Sequence, residues 1–438
     1  MTVIIPERLR EAALRELAKC NKCGFCQTNC PTYLATGVEW EVARGRLTLV
    51  RAVLEGELEP DQLPESVWSC LLCRNCRTHC PPGVQMDKVM IALRAALGDK
   101  LGISPLRALI MHGVLPKRGR LAAAATLGAI GQGLRVDQLL RLLPDARARA
   151  APGFAPRLRA PGALRRAVRR EGLFCGSRHA PVVVFLGCAT EFGLQPVALA
   201  LGRLLRRLGI EARLVDGACC GLPAHSWGDV AGADLAVRAT LQRLFPDRSQ
   251  TGLASIQHVI TPCASCASFF SDYPAVTADP ELAAAAARLA AIVEPASAYL
   301  AKAGLPELLR SQGVAQAGAT AHTFHDPCHL AHYLGTRQDV RPVLQAIPGG
   351  GFRELAEPDA CCGGGGSYAL THPEHAAKIF ERKLADIEAS GATTVTTVCP
   401  VCLLQLRHGL AAAGSKVKAR HLLELAWDAL APVNEVGK

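Results

Sequence analysis

Cysteine spacing constrains this chain more than any other feature. Eight of its nineteen cysteines fall in two runs, Cys20-x-x-Cys23-x-x-Cys26-x-x-x-Cys30-Pro31 and Cys70-x-x-Cys73-x-x-Cys76-x-x-x-Cys80-Pro81, each cysteine of the second lying 50 residues after its partner. Ten of the remaining eleven repeat at a longer interval. Cys188, Cys219-Cys220-Gly221 and Cys263-x-x-Cys266 are echoed by Cys328, Cys361-Cys362-Gly363 and Cys399-x-x-Cys402, at offsets of 140, 142 and 136 residues. Only Cys175 belongs to no pattern, and it reads as an ordinary buried or linker thiol. Met1 to Lys19 carries Glu7, Arg8, Arg10, Glu11, Arg15 and Glu16 at helical spacing, which predicts a helix and not an export signal. The expected compartment is a reducing cytoplasm, where so many thiols act as metal ligands or redox groups rather than disulfides.

The first duplication points to iron–sulfur chemistry. C-x₂-C-x₂-C-x₃-C-P is the ligand run of bacterial two-cluster ferredoxins, in which three close thiolates grip one cube and the fourth cysteine serves the other. Two such runs satisfy each other: Cys20, Cys23, Cys26 and Cys80 hold one [4Fe–4S] cluster, and Cys70, Cys73, Cys76 and Cys30 the second. Zinc also takes paired cysteines, but as two separated pairs rather than a triplet with a distant Cys-Pro. Arg44 and Arg46 could offset cluster charge or form surface ion pairs.

The second duplication reads as two α/β units. Val182–Leu186 is an apolar, β-branched run leading to Cys188, and a helix follows over about 194–208. A strand over Ile210–Val215 leads to the Cys-Cys-Gly turn, a helix runs over about 229–245, and the strand His258–Thr261 delivers Cys263. The second copy repeats the order: His322–His325, a helix near Arg341, a strand over Phe352–Leu355, a helix over about 373–389, and Thr393–Val398 before Cys399. Alternating strands and helices predict largely parallel sheets with the cysteines at their carboxyl edges. Adjacent cysteines fit one iron of a compact cube poorly, yet could ligate different irons of a larger cluster. The glycines Gly363 to Gly366 free backbone amides to face sulfide; they lack the spacing of a dinucleotide site. His322, His325, His329 and His332 cluster around Cys328, as ligands, proton carriers or hydrogen-bond donors to sulfur.

Between the halves the composition changes. Residues 101–172 hold fourteen Lys or Arg against three acidic residues, so 14 − 3 equals the +11 net charge of the whole chain. Pro144 to Pro161 reads as a linker. The segment is either a solvated linker after a helical hairpin or a basic surface for anionic lipid or an acidic subunit. Nothing accompanies the charge that would read nucleic acid. The uncharged stretch Leu121–Leu134 is too short to span a bilayer. The expected units are 1–100, 101–178, 179–310 and 311–438.

Cys-Gly-Phe-Cys-Gln-Thr-Asn-Cys-Pro-Thr-Tyr at 23–33, Ala-Arg-Gly-Arg-Leu at 43–47, and Cys-Cys-Gly-Gly-Gly-Gly-Ser-Tyr-Ala-Leu-Thr-His-Pro at 361–373 resemble the iron–sulfur subunit of bacterial glycolate oxidase. More loosely the chain is similar to iron–sulfur subunits of lactate utilisation and anaerobic glycerol-3-phosphate dehydrogenase, and to the B subunit of heterodisulfide reductase. The resemblance implies an α+β or α/β fold: a helical two-cluster ferredoxin-type N-terminal domain, then a duplicated α/β Cys-Cys-Gly domain. It implies a non-cubane [4Fe–4S] cluster on Cys328, Cys361, Cys362, Cys399 and Cys402, and room for another on Cys188, Cys219, Cys220, Cys263 and Cys266, whose second gap departs from the family pattern. Zinc or redox thiols remain the alternative at both. It further implies electron transfer from a flavoprotein subunit, carrying FAD and oxidising glycolate or D-lactate, towards quinone or another acceptor. The chain's place is then the cytoplasm, or the inner face of the membrane. A heterodisulfide-reductase-like thiol chemistry is the alternative. No hydride-transfer or 2-hydroxy-acid site is evident in the chain.

Overall fold

The computed structural model describes residues 7–430 apart from 60–61, 64, 102–103, 137–152, 154–155, 160, 178, 216, 218, 278, 312–320 and 350. The expected Pro144–Pro161 linker lies largely outside the described residues. Among those described, no helix is long and apolar enough to cross a membrane.

The N-terminal unit is helical. Helix α1 (Glu7–Lys19) buries Ala13 and Leu17, and α4 (Met86–Leu101) buries Met86, Val89, Met90, Leu93 and Leu97. These three- and four-residue spacings put one apolar stripe on each helix. The stripes close over α3 (Ala43–Leu54), which contributes Leu47 and Val50. Helix α2 (Pro31–Thr36) begins on the proline after Cys30, where a missing N–H costs nothing and the fixed φ suits the first turn. That is the physical use of the Cys-Pro pair.

A hairpin follows. Ser104 caps the turn Pro105–Ala108, a π-helical turn continues over Leu109–Val114, and α5 (Arg118–Gly133) folds back beside it. Helix α6 (Pro161–Glu171) buries Leu164 against the next unit, so part of the basic segment is structural packing.

Two parallel sheets carry the duplicated half. The first has the order β2-β1-β3-β4, from β1 (Val182–Phe185), β2 (Ala212–Val215), β3 (His258–Thr261) and β4 (Val293–Pro295). The second has the order β5-β6-β7, from β5 (His322–Phe324), β6 (Thr394–Thr397) and β7 (Lys418–His421). Every pairing is parallel. The strand expected over Phe352–Leu355 does not form; Phe352 makes a single parallel bridge to His322. It nevertheless sits where β2 sits in the first unit, so the topology repeats. Within the span Arg341 donates to the Glu354 carboxylate, and just beyond it Asp386 accepts from the amides of Ala356 and Glu357. Helices α7 (Gln195–Arg207), α8 (Val230–Leu244), α9 (Ala264–Val276), α10 (Pro373–Ala389) and α11 (Pro400–Ala412) cover the sheets. The chain is thus an α+β and α/β protein with a helical dicluster unit and a duplicated cysteine-rich unit.

Candidate metal centres

The two ferredoxin-type runs fold into two adjoining pockets. One is lined by Cys20, Cys23, Cys26 and Cys80 under Phe25, Leu47, Val84 and Met86. The other is lined by Cys30, Cys70 and Cys73 with Leu72, Arg46 and Arg74. Cys76 borders both. Cys80 thus lines the pocket of the first triplet, and Cys30 that of the second.

The two arginines left open by the sequence differ sharply. Arg44 pairs with Glu39 near the surface. Arg46 is 3% exposed, donates to Glu41 at 2.8 Å and to the Ser66 carbonyl at 2.8 Å, and also reaches Thr32 and Ser69. Burial acts against its charge, but Cys70, Cys30 and Glu41 raise its pKa above the ordinary value. It is the fixed cation beside the second pocket. Arg94, which sequence reasoning missed, is buried too, and burial lowers its pKa to about 10. Its guanidinium donates to the carbonyls of Cys70 at 2.7 Å and Ser226 at 2.7 Å, locking the cysteine loop to the first sheet unit.

At the carboxyl edge of the first sheet, Cys188 follows β1, the Cys219-Cys220 turn follows β2 and Cys263 follows β3. Gly187 has φ +74°, and a Cβ there would meet the Cys266 sulfur at 3.2 Å. The thiols form a string in which Cys188 reaches Cys219, Cys219 reaches Cys220, Cys220 reaches Cys266 and Cys266 reaches Cys263. Hydrogen bonds from Cys219 and Cys266 bring Cys220 down to about 6. All five predicted residues come together. Tyr273 holds the turn by donating to the Cys220 carbonyl at 2.6 Å.

The second sheet repeats the arrangement. Cys328 opens a π-helical turn over His329–Leu334, a distortion that favours functional sites. Cys362, Cys399 and Cys402 are buried, and the Gly363 amide donates to Cys361 Sγ at 3.3 Å. Burial, and then the neighbouring Cys362, push Cys361 up to about 12. A hydrogen bond from Cys402, together with the nearby His325, holds Cys362 well below the usual thiol range.

The four clustered histidines separate by role. His322 bonds the Leu344 carbonyl and packs on Phe352. His332 faces Asp359 at 3.8 Å. His329 lies 3.5 Å from Cys328 Sγ and 3.1 Å from Ser265 Oγ, and burial lowers its pKa to about 4. His325 is 1% exposed, groups with Cys362 and Cys402 within 4.8 Å, and acts on the Cys362 thiol. A buried imidazole set among thiols can donate its N–H to sulfur or lend its lone pair to a metal. The thiol-lined pockets, the amide on Cys361 and this imidazole fit iron–sulfur centres.

The four thiol sets also adjoin one another. Burial and then Cys361 push the Cys73 thiol well up, and Cys73 in turn acts on Cys328. Cys263 and Cys399 are hydrogen-bonded across the two repeats, where the Ala264 amide donates to the Val398 carbonyl at 3.1 Å. Tyr333 and Ser265 complete these contacts, and only the position of Ser265 inside Cys263-x-x-Cys266 could have drawn attention in the sequence. Cys175, expected to be buried or in a linker, is exposed.

Comparison with known proteins agrees with this layout. Residues 16–84 match the 4Fe-4S dicluster domain family, and residues 182–271 and 322–407 match the cysteine-rich domain family. A probable glycolate oxidase iron–sulfur subunit of Bacillus subtilis is 30% identical, over 97% of this chain and 95% of that protein. The glycolate oxidase iron–sulfur subunit of Escherichia coli is 27% identical over 94% of both chains. One subunit of the dihydromethanophenazine:CoB–CoM heterodisulfide reductase of Methanosarcina acetivorans is 24% identical, over 97% of this chain and 96% of the relative.

Proposed function

Since this chain belongs to the family of glycolate oxidase iron–sulfur subunits, we propose that it is the electron-carrying subunit of a flavin-dependent dehydrogenase of 2-hydroxy acids such as glycolate or D-lactate. A partner flavoprotein, carrying FAD, would oxidise the acid, and quinone or another acceptor would take the electrons. The units proposed are 1–100, 101–178, 179–310 and 311–438.

Cys20, Cys23, Cys26 and Cys80 would hold one [4Fe–4S] cluster, and Cys30, Cys70, Cys73 and Cys76 the second. Cys328, Cys361, Cys362, Cys399 and Cys402 would hold a non-cubane cluster, and Cys188, Cys219, Cys220, Cys263 and Cys266 another. Bound there, such clusters supply the one-electron steps that side chains lack. The chain's own residues set buried Leu47 and Met86 against the first pocket, and place a fixed cation, Arg46, beside the second. His325 and the Gly363 amide face the sulfurs of the second repeat.

The observation that carries this reading is the unbroken order of the thiol sets: shared Cys76, then Cys73 beside Cys361 and Cys328, then Cys399 beside Cys263. The test is anaerobic co-purification with the flavoprotein followed by addition of glycolate or D-lactate. Paramagnetic signals of reduced clusters, formed with the partner and absent without it, are expected. Substrate oxidation that leaves every cluster oxidised would contradict the reading.

A solvent-open pocket beside Cys361, lined also by Pro31, His79, Lys378 and Arg382, favours a second reading. It offers room for a small thiol or disulfide next to the second-repeat site. Disulfide turnover by the isolated chain would favour this chemistry.

A further inference from the structure

The hairpin has an outer face that no described residue covers. Among the described residues, seven of the thirteen exposed large apolar side chains lie within 105–136, six of them being Leu106, Leu109, Ile110, Leu127, Ile130 and Leu134. On α5, Leu127, Ile130 and Leu134 stand at i, i+3 and i+7, opposite the buried Leu121 and Ala125. No charged residue falls between Leu121 and Leu134. A water-facing helix that is apolar on both sides is out of place on a protein surface.

The charge around this face has one sign. Lys117 and Arg120 are exposed at the start of α5 and Arg135 just past its end, and residues 104–136 contain no Asp or Glu. Apart from Ser104, which caps the first turn, the exposed side chains there are apolar or cationic. A protein interface carries hydrogen bonds from polar groups, commonly in a polar rim. Apolar side chains with a cationic rim are instead the composition of a helix lying in a lipid interface.

The inner face bears on the redox end of the molecule. The Leu115 carbonyl accepts from the Cys219 amide at 3.1 Å, and Val114, Leu115, Leu121 and Ala125 cluster with Phe192 and Cys188. His112 pairs with Asp229 at 2.8 Å, and Asp229 caps α8. The hairpin is thus a wall of the first-repeat thiol site.

We propose that residues 105–136 dock the chain on an anionic bilayer, with the Leu127–Leu134 stripe at the boundary of headgroups and acyl chains. Docking there holds the first-repeat site at the lipid surface, where a lipid-soluble acceptor would meet it. This step rests on the proposed function, with the first-repeat site taken as the last of the neighbouring thiol sets; docking itself does not.

The experiment is sedimentation of anaerobically purified protein with vesicles of phosphatidylglycerol and phosphatidylcholine, or of phosphatidylcholine alone. Two triple variants are compared, Leu127→Ser/Ile130→Ser/Leu134→Ser and Lys117→Gln/Arg120→Gln/Arg135→Gln. Cluster absorbance and dye-linked substrate oxidation report folding and the relay separately. The native chain is expected to bind the anionic vesicles at least tenfold more tightly than the neutral ones, and each variant to lose at least tenfold with its cluster spectrum intact. Equal binding to both vesicles, no binding, undiminished binding by the apolar variant, or binding only through an added protein subunit would overturn the proposal. A chain that docks but takes no electrons from the flavoprotein would instead contradict the functional reading.

Discussion

The hydroxyl of Tyr333 donates to the carbonyl of Leu72 at 2.5 Å, tying the second-repeat site to the loop between Cys70 and Cys73. The same ring stacks on His329 at 4.5 Å and lies under the Arg74 guanidinium at 3.5 Å. His329 continues the path to Cys328 and, through Ser265, to Cys399 at 3.2 Å. One aromatic pair therefore touches parts of three thiol sets.

Removing only the hydroxyl, Tyr333→Phe, should cost about 1 kcal/mol of stability, the net worth of one hydrogen bond. Tyr333→Leu should cost more and slow reduction of the second-repeat centre by several-fold, as read by rapid-freeze paramagnetic resonance after mixing with reduced flavoprotein. An unchanged rate in Tyr333→Leu, with the centre intact, would remove the ring from the path.

Crossed ligation makes a selective prediction. Cys80→Ser should alter the cluster held by Cys20, Cys23 and Cys26, and Cys30→Ser the one held by Cys70, Cys73 and Cys76. Spectra of the two variants should change in different cubes, and the reverse pairing would refute the assignment.

Arg46 is surrounded by Glu41, Thr32, Ser66 and Ser69 in a site closed to water. Arg46→Met should destabilise the N-terminal unit by about 3–5 kcal/mol, because Glu41 is left as an unpaired buried charge. Arg46→Met/Glu41→Leu should recover much of that loss. Denaturant unfolding of the anaerobic protein distinguishes the two, and equal losses would show that the cation acts chiefly on the thiolates.

Burial lowers the pKa of His225 to about 4, against an ordinary value of 6.5. The unfolded chain binds this proton first, so the contribution to stability is full above about pH 6.5 and falls as pH drops towards 4. His225 is only half-buried by area, so the difference between native protein and His225→Gln should change by about 1–2 kcal/mol across that window. A difference flat with pH would show that the imidazole is already hydrated in the fold.

The cysteine spacings made both duplications legible, because ligand residues must recur at fixed offsets whatever surrounds them. Strands β1, β2, β3, β5 and β6 were legible from β-branched runs. Strand β4 was not: it is three residues long and ends on Pro295. Nor was β7, whose Lys418-Ala-Arg-His421 lacks an apolar pattern and leans on Arg407, which donates to the Ala419 carbonyl, and on the His421 bond to the Pro262 carbonyl. Phe352–Leu355 misled in the opposite sense: its local pattern is strand-like, yet pairing with β5 stops at the Phe352 bridge. Contacts such as Cys263 with Cys399 and Tyr333 with Leu72 join residues more than a hundred apart, and no local pattern encodes them.

The central claim is that all four thiol sets hold iron–sulfur centres, and the direct measurement is iron, zinc and acid-labile sulfide per chain in anaerobically prepared protein, with Mössbauer spectra. Four four-iron centres predict about sixteen irons and as many sulfides, falling by about four irons in Cys362→Ser while the ferredoxin-type signals remain. About eight irons with stoichiometric zinc on the Cys-Cys-Gly thiols, unchanged by Cys362→Ser, would contradict it.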